Sequence, residues 1–387
     1  MVTLAHSAAL SAAPASRGAV GTRLPALRHL GPNWYATVMG TAIVATAGAG
    51  LPLDVPGLRA GCAVVWALSA VLLAVVLTAR AGHWLHHRDQ ARSHLLDPAV
   101  APFYGCLAMA LLAVGAATLA VGRDVLGEDV AVAVDAVLFG VGTLLGVAVA
   151  VTIPYLMVVR HRLEAADASP VWLLPLVTPM VSAAVGPALV PYLPAGQGRE
   201  ALLLGCYALF GLSMLATLTM LPLVFARLVV RGPLPLALTP VLFLVLGPLG
   251  QSTTAVNQVA DVAPSALGAP YADALGAFAV VYGVPVMGFA LLWLALSAAL
   301  VVRAARRGMR FTMTWWAFTF PVGTCVTGAE GLGKHTGLVA LEWLAVTLFV
   351  LLVTAWAVAG WRTLRGLFGG RLLAAPAVPR PATARSG

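Results

Sequence analysis

Charge is what this sequence has least of. Asp, Glu, Lys and Arg supply 10% of its 387 residues, against about a quarter in an ordinary soluble domain. Apolar residues fill 60% and the mean hydropathy is +0.94, more apolar surface than a soluble fold could hide. Cysteine is also scarce. Cys62, Cys106, Cys206 and Cys325 stand singly in apolar runs with no CxxC spacing, so they are expected to be buried small residues and not disulfides or metal ligands. No loop between apolar runs is long enough to fold as a soluble receptor domain. No nucleophile, acid or metal cluster falls inside the runs, so no enzyme, cofactor or metal site is expected. Residues 7–16 are small and proline-broken and lack the apolar stretch of a secretory signal.

What the chain does have is long apolar runs of the length that crosses hydrocarbon as a helix. Ten are read, at about 33–51, 58–79, 99–121, 131–159, 171–193, 201–226, 236–257, 272–302, 312–330 and 338–360. They are continuously apolar and not alternating, which excludes a transmembrane barrel. The fold class is therefore all-α and integral to the membrane. With both tails and every second loop on one side, only Arg59, Arg123, Arg199 and Lys334 of the 23 Lys and Arg fall on the other. By the positive-inside rule the rich side is cytoplasmic and holds both termini. The +9 net charge is then topological and does not mark a nucleic-acid surface. Residues 1–30 and 367–387, rich in Ala, Pro and Arg, are expected to be disordered cytoplasmic tails flanking a transport domain at 31–366.

Aromatic residues recur near the start of alternate runs at Trp34, Phe103, Trp172, Phe243 and Trp315, separated by 69, 69, 71 and 72 residues. One helical hairpin per period gives five hairpins. Helix breakers concentrate in the odd runs: Pro175, Pro179 and Pro187, then Gly247, Pro248 and Gly250, then Pro321 and Gly323. Broken helices are tolerated where freed carbonyls face protein or a water-filled cavity, which suggests an inner ring of odd helices around a conduit. Prolines that merely bend membrane helices are the alternative. Pro285, in an even run, fits neither pattern.

"LGPNWYATVMGTAIVATAG" (30–48), "WLLPLVTPMVSAAVG" (172–186), "LVLGPLGQSTTA" (244–255) and "WWAFTFPVGT" (315–324) together resemble the tellurite-resistance/dicarboxylate transporter family. Its members include malate permeases, sulfite exporters and slow anion channels. The resemblance implies ten helices as five hairpins around a pore, a homotrimer with one pore per protomer, and a phenylalanine from the ninth helix plugging it. It also implies a small-anion substrate in the plasma membrane, with C4-dicarboxylates such as malate first and sulfite, nitrate or chloride as alternatives. The position that matches the plug is Phe320, next to Pro321, a residue that removes a backbone donor and bends the chain. Phe318, about 200° around a helix, would face elsewhere. Ordinary packing of Phe320 is the alternative.

Candidate pore-lining groups are Thr37, Thr41, Thr178, Ser182, Gln251, Ser252, Thr253, Thr319 and Thr324, each also able to bond locally to its own helix. Asp135, Asp261, Asp273, Glu330 and Glu342 fall toward the outer ends of their runs. No ionisable group is therefore expected at depth, and any pH dependence should come from the cargo or the surface. "GAEGLGKHT" (328–336) approaches a phosphate-binding loop but has His335 where Ser or Thr belongs and no preceding strand. "HWLHHRDQARSH" (83–94) puts His83 and His87 at i, i+4, as metal ligands can stand, though a basic segment at the lipid headgroups accounts for it better.

Overall fold

The structure is a computed structural model that describes residues 27–369 and Leu372. Most of both expected tails, with Arg17, Arg23, Arg371, Arg380 and Arg385, lies outside the described residues. The described chain is helical throughout, without a strand. Its α-helices are α1 (Tyr35–Gly50), α2 (Leu58–His86), α3 (Arg88–Leu96), α4 (Gly105–Ala117), α5 (Arg123–Leu126), α6 (Glu128–Val159), α7 (Leu173–Val185), α8 (Gln197–Arg231), α9 (Leu246–Ala266), α10 (Ala269–Arg306), α11 (Phe320–Thr336) and α12 (Val339–Phe368).

Five antiparallel hairpins organise these elements: α1 with α2, α4 with α6, α7 with α8, α9 with α10 and α11 with α12. The first helix of each hairpin packs on the first helix of the next, and α11 returns to α1, so the five close a ring. Burial separates the two layers. The apolar windows of α2, α6, α8, α10 and α12 are only 17 to 28% buried, while the segments built on α4, α7 and α9 are 83 to 89% buried. The outer helices thus present their apolar sides outward, as a lipid-facing layer must.

Eight helical segments among the described residues are long and apolar enough to cross a membrane. The expected spans 33–51 and 312–330 are not among them. α1 has 16 residues and α11 has 17, and each follows a 3₁₀ turn, at Pro32–Trp34 and Met313–Phe318. The same device precedes the other inner helices, at Ala101–Tyr104, Pro170–Trp172 and Leu236–Val245. Trp34, Phe103, Trp172, Phe243 and Trp315 each lie in one of these turns, so the 69- to 72-residue period marks the point where each hairpin enters the ring. The histidine-rich stretch forms the end of α2 and α3.

The ring closes tightly where α9 meets α11. Gly250 lies against the α11 backbone, and a Cβ there would come within 2.6 Å of the Cys325 nitrogen. All four cysteines are buried and unpaired.

Candidate functional site

The break between the last 3₁₀ turn and α11 falls at Thr319, with φ −97° and ψ −83°. Its hydroxyl donates to the Trp316 carbonyl at 2.7 Å and packs against Gly40 of α1, where a side chain would collide with it. Pro321 occupies the first turn of α11, where a missing N–H costs no helical bond. The chain can therefore change direction immediately before Phe320 with no hydrogen bond forfeited at Pro321.

Phe320 and Pro321 border different spaces. Phe320, 3% exposed, lines an outer cavity of about 710 Å³. Pro321 lines an inner cavity of about 570 Å³. Each inner helix, or the turn leading into it, contributes to both. Ile43, Ala113, Val181 and Gln251 join Phe320 around the outer cavity, and Met39, Cys106, Leu174 and Leu244 join Pro321 around the inner one. Gly247 lies between Leu244 and Gln251 on the same helical face. It is buried, yet a Cβ built on it would meet nothing within 4 Å, so it faces open space between a residue of the inner cavity and one of the outer. Phe318 packs edge-on against Phe243 at 4.8 Å and lines neither cavity.

The outer cavity has two unlike walls. The α4 and α7 side is aliphatic, with Ala113, Ala116, Val181 and Ala184. The α9 and α11 side is polar, with Gln251, Thr254, Asn257, Thr327 and Glu330. Thr254 and Thr327 share a hydrogen bond at 2.7 Å, while Gln251 Oε1 and Asn257 Oδ1 have no partner.

Of the nine hydroxyl and amide candidates, Gln251 lines the outer cavity and the other eight line neither. Thr37 donates to Trp34 O, Thr178 to Pro175 O, Ser252 and Thr253 to Leu249 O, and Thr324 to Pro321 O, with Thr319 bonded as above. Thr41 donates to Thr37 O and accepts from Trp356 Nε1 of α12, and Ser182 accepts from Thr143 of α6, so these two face the outer layer. Thr46, Thr254, Thr327 and Asn257 were missed as cavity residues. The spacing of Gln251, Thr254, Gln258 and Asp261 is a three- and four-residue helical stripe, a signal visible in the sequence.

The breakers have specific places. Pro175 and Pro248 lie in the first turns of α7 and α9, as Pro321 does in α11. Pro179 is inside α7. Gly250 and Gly323 lie within continuous helix and serve close approach, Gly323 against Ile43.

Two of the acidic residues expected toward the outer ends of their runs are enclosed by protein, Asp135 fully and Glu330 in part. Asp135 of α6 is 1% exposed, faces Gly115 of α4, and has neither carboxyl oxygen hydrogen-bonded. Glu330 lines the outer cavity, and its Oε1 is buried without a partner. Glu330 lies against Gly50, the last residue of α1. Asp261 does lie at the rim, bonded to Lys334 at 2.8 Å and to His335 at 3.3 Å.

The stretch 328–336 is the C-terminal half of α11 and forms no phosphate loop. His83 stacks on His94 at 5.3 Å and its Nδ1 bonds the Leu27 carbonyl. Among the described residues no three His, Cys, Asp or Glu side chains are grouped to hold a metal ion.

Five hairpins whose inner members border two cavities, with outer members apolar on their exposed sides, define a multi-pass membrane protein. Residues 29–364 match the voltage-dependent anion channel family, and the chain belongs to it. It is similar to the sulfite efflux pump of Trichophyton rubrum, 27% identical over 319 residues that cover 80% of this chain and 83% of that protein. It is 26% identical to the sulfite efflux pump of Arthroderma otae over 86% of this chain and 89% of that protein. An uncharacterized transporter of Methanocaldococcus jannaschii is 23% identical over 91% of this chain and 97% of that protein.

Proposed function

We propose that this protein exports a small inorganic anion, sulfite foremost, along the axis of the helical ring, and that Phe320 is the gate. The observation that carries the reading is the division of labour at the start of α11, with Phe320 bordering the outer cavity and Pro321 the inner one. An apolar ring held there excludes water and ions from the neck. The inner helices all begin at the inner-cavity end, so the positive ends of their dipoles gather where an anion would enter.

The resemblance puts malate first, but two observations favour sulfite. The relatives named above as sulfite efflux pumps cover most of this chain. The cavity cations are also largely engaged: Arg59 with Asp124, Lys334 with Asp261, and Arg227 with the Ala166 and Gly232 carbonyls. A C4-dicarboxylate calls for two such groups free to hold its ends, whereas a compact anion can pass a wall of amides and hydroxyls without being held tightly. The same proposal includes the plasma membrane, cytoplasmic termini by the arginine bias, and a homotrimer with one pathway per protomer.

The test is uptake into proteoliposomes of sulfite, nitrate, chloride, malate and succinate, side by side. Sulfite faster than malate supports the reading. Malate faster than sulfite restores the dicarboxylate reading, and no permeation by any anion overturns both.

A further inference from the structure

A carboxylate in the wall of an anion pathway is a contradiction unless its charge can be removed. Glu330 lies ten residues beyond Phe320 on α11, about 15 Å outward at 1.5 Å per residue. It borders the outer cavity that any ion passing Phe320 must cross. Its carboxylate lies over Gly50 of α1, close enough that a Cβ there would come within 2.5 Å of Oε2. Oε1 is buried and makes no hydrogen bond.

The charged groups around it are committed elsewhere or stand at the rim. From α2, Arg59 pairs with Asp124 of α5. From α9, Asp261 takes both Lys334 and His335 of α11 itself. Tyr192, after α7, donates to Glu128. Arg123 of α5 and Glu342 of α12 line the same cavity, and none of these cations forms an ion pair with Glu330. The cavity lining carries three cations, Arg59, Arg123 and Lys334, and three acidic residues, Asp261, Glu330 and Glu342. With Glu330 ionised the lining is neutral overall, and with Glu330 protonated it is positive by one charge.

We propose that Glu330 is a proton-binding site that controls passage of the anion through the outer cavity, which conducts when Glu330 is protonated. The inference rests on the reading of the ring as an anion conduit. An ionised Glu330 repels an anion passing close to it, and protonation removes the repulsion and supplies an O–H donor to the passing oxyanion. The device makes flux rise as pH falls, whatever the protonation of the cargo.

The experiment compares Glu330→Gln with wild type in proteoliposomes at symmetrical pH from 5.5 to 8, with sulfite and with nitrate. The amide fixes the neutral state, and taking the ratio of the two proteins at each pH cancels the titration of sulfite itself. The expected ratio is near one at the acidic end and rises about tenfold at the alkaline end, the size of one unfavourable charge contact. A ratio that stays flat while wild type conducts overturns the role of Glu330 and leaves the conduit standing. If wild type carries no anion at all, both fall. Glu330→Ala also removes the charge, and it makes the same measurement should the glutamine variant fail to fold.

Discussion

Gly250 of α9 and Cys325 of α11 are in backbone contact: a Cβ on Gly250 would stand 2.6 Å from the Cys325 nitrogen and 2.6 Å from the Thr324 carbonyl carbon. Backbone cannot move aside as a side-chain tip can, so Gly250→Ala forces α9 and α11 apart. Overpacking of this kind costs about 1 to 3 kcal/mol. The variant is expected to melt measurably below wild type in detergent, whereas Gly247→Ala, whose new methyl would meet open space, is expected to melt near it.

Gly247 has a different consequence at larger size. It faces open space between Leu244 and Gln251, which line the two cavities, so Gly247→Leu places an isobutyl group in the proposed pathway. A barrier of about 1.4 kcal/mol lowers a rate tenfold, and anion uptake by the folded variant is expected to fall by at least that factor. Unchanged uptake would mean that ions do not pass Gly247.

The proposed orientation rests on the arginine bias. Single cysteines at position 128, at the start of α6, and at position 306, at the end of α10, lie at opposite ends of the bundle. In intact cells an impermeant thiol reagent is expected to label 128 and spare 306. The opposite pattern would invert the protein in its membrane.

His94, outside the spanning helices, is pushed down to about 4 by burial, reinforced by the positive charge of Arg80 and by His83, with Asp97 acting the other way. The unfolded chain, titrating near 6.5, therefore binds a proton before the folded one does. Stability from this residue is complete above about pH 6.5 and declines as pH falls toward 4. His94→Leu is expected to flatten the fall in melting temperature between pH 7 and 5, and an unaltered slope would assign that fall to other groups.

The hairpins were legible because each span is longer than any soluble helix needs and because Trp34, Phe103, Trp172, Phe243 and Trp315 keep one period. The break at Thr319 that leaves α11 with 17 residues was not, since hydropathy does not distinguish a turn from the helix it leads into. Thr178 and Ser182 read as pore groups because hydroxyls in a broken helix suggest a lumen, yet a hydroxyl can donate to a carbonyl one turn back, as Thr178 does to Pro175, or accept from the outer layer, as Ser182 does from Thr143. The polar wall of the outer cavity was within reach, through the stripe from Gln251 to Asp261. The burial of Asp135 was not, because it depends on α4 packing over it at Gly115, and that is a property of the assembled ring.

The account turns on Phe320 as the closed point between the cavities. Phe320→Ala removes the ring without touching the Thr319–Pro321 backbone, while Phe318→Ala removes a ring that packs on Phe243. Anion conductance of purified protein in planar bilayers is expected to rise about tenfold or more for Phe320→Ala, a barrier drop of about 1.4 kcal/mol, and to stay near wild type for Phe318→Ala. Wild-type or lower conductance in folded Phe320→Ala, or an equal rise in both variants, would contradict it.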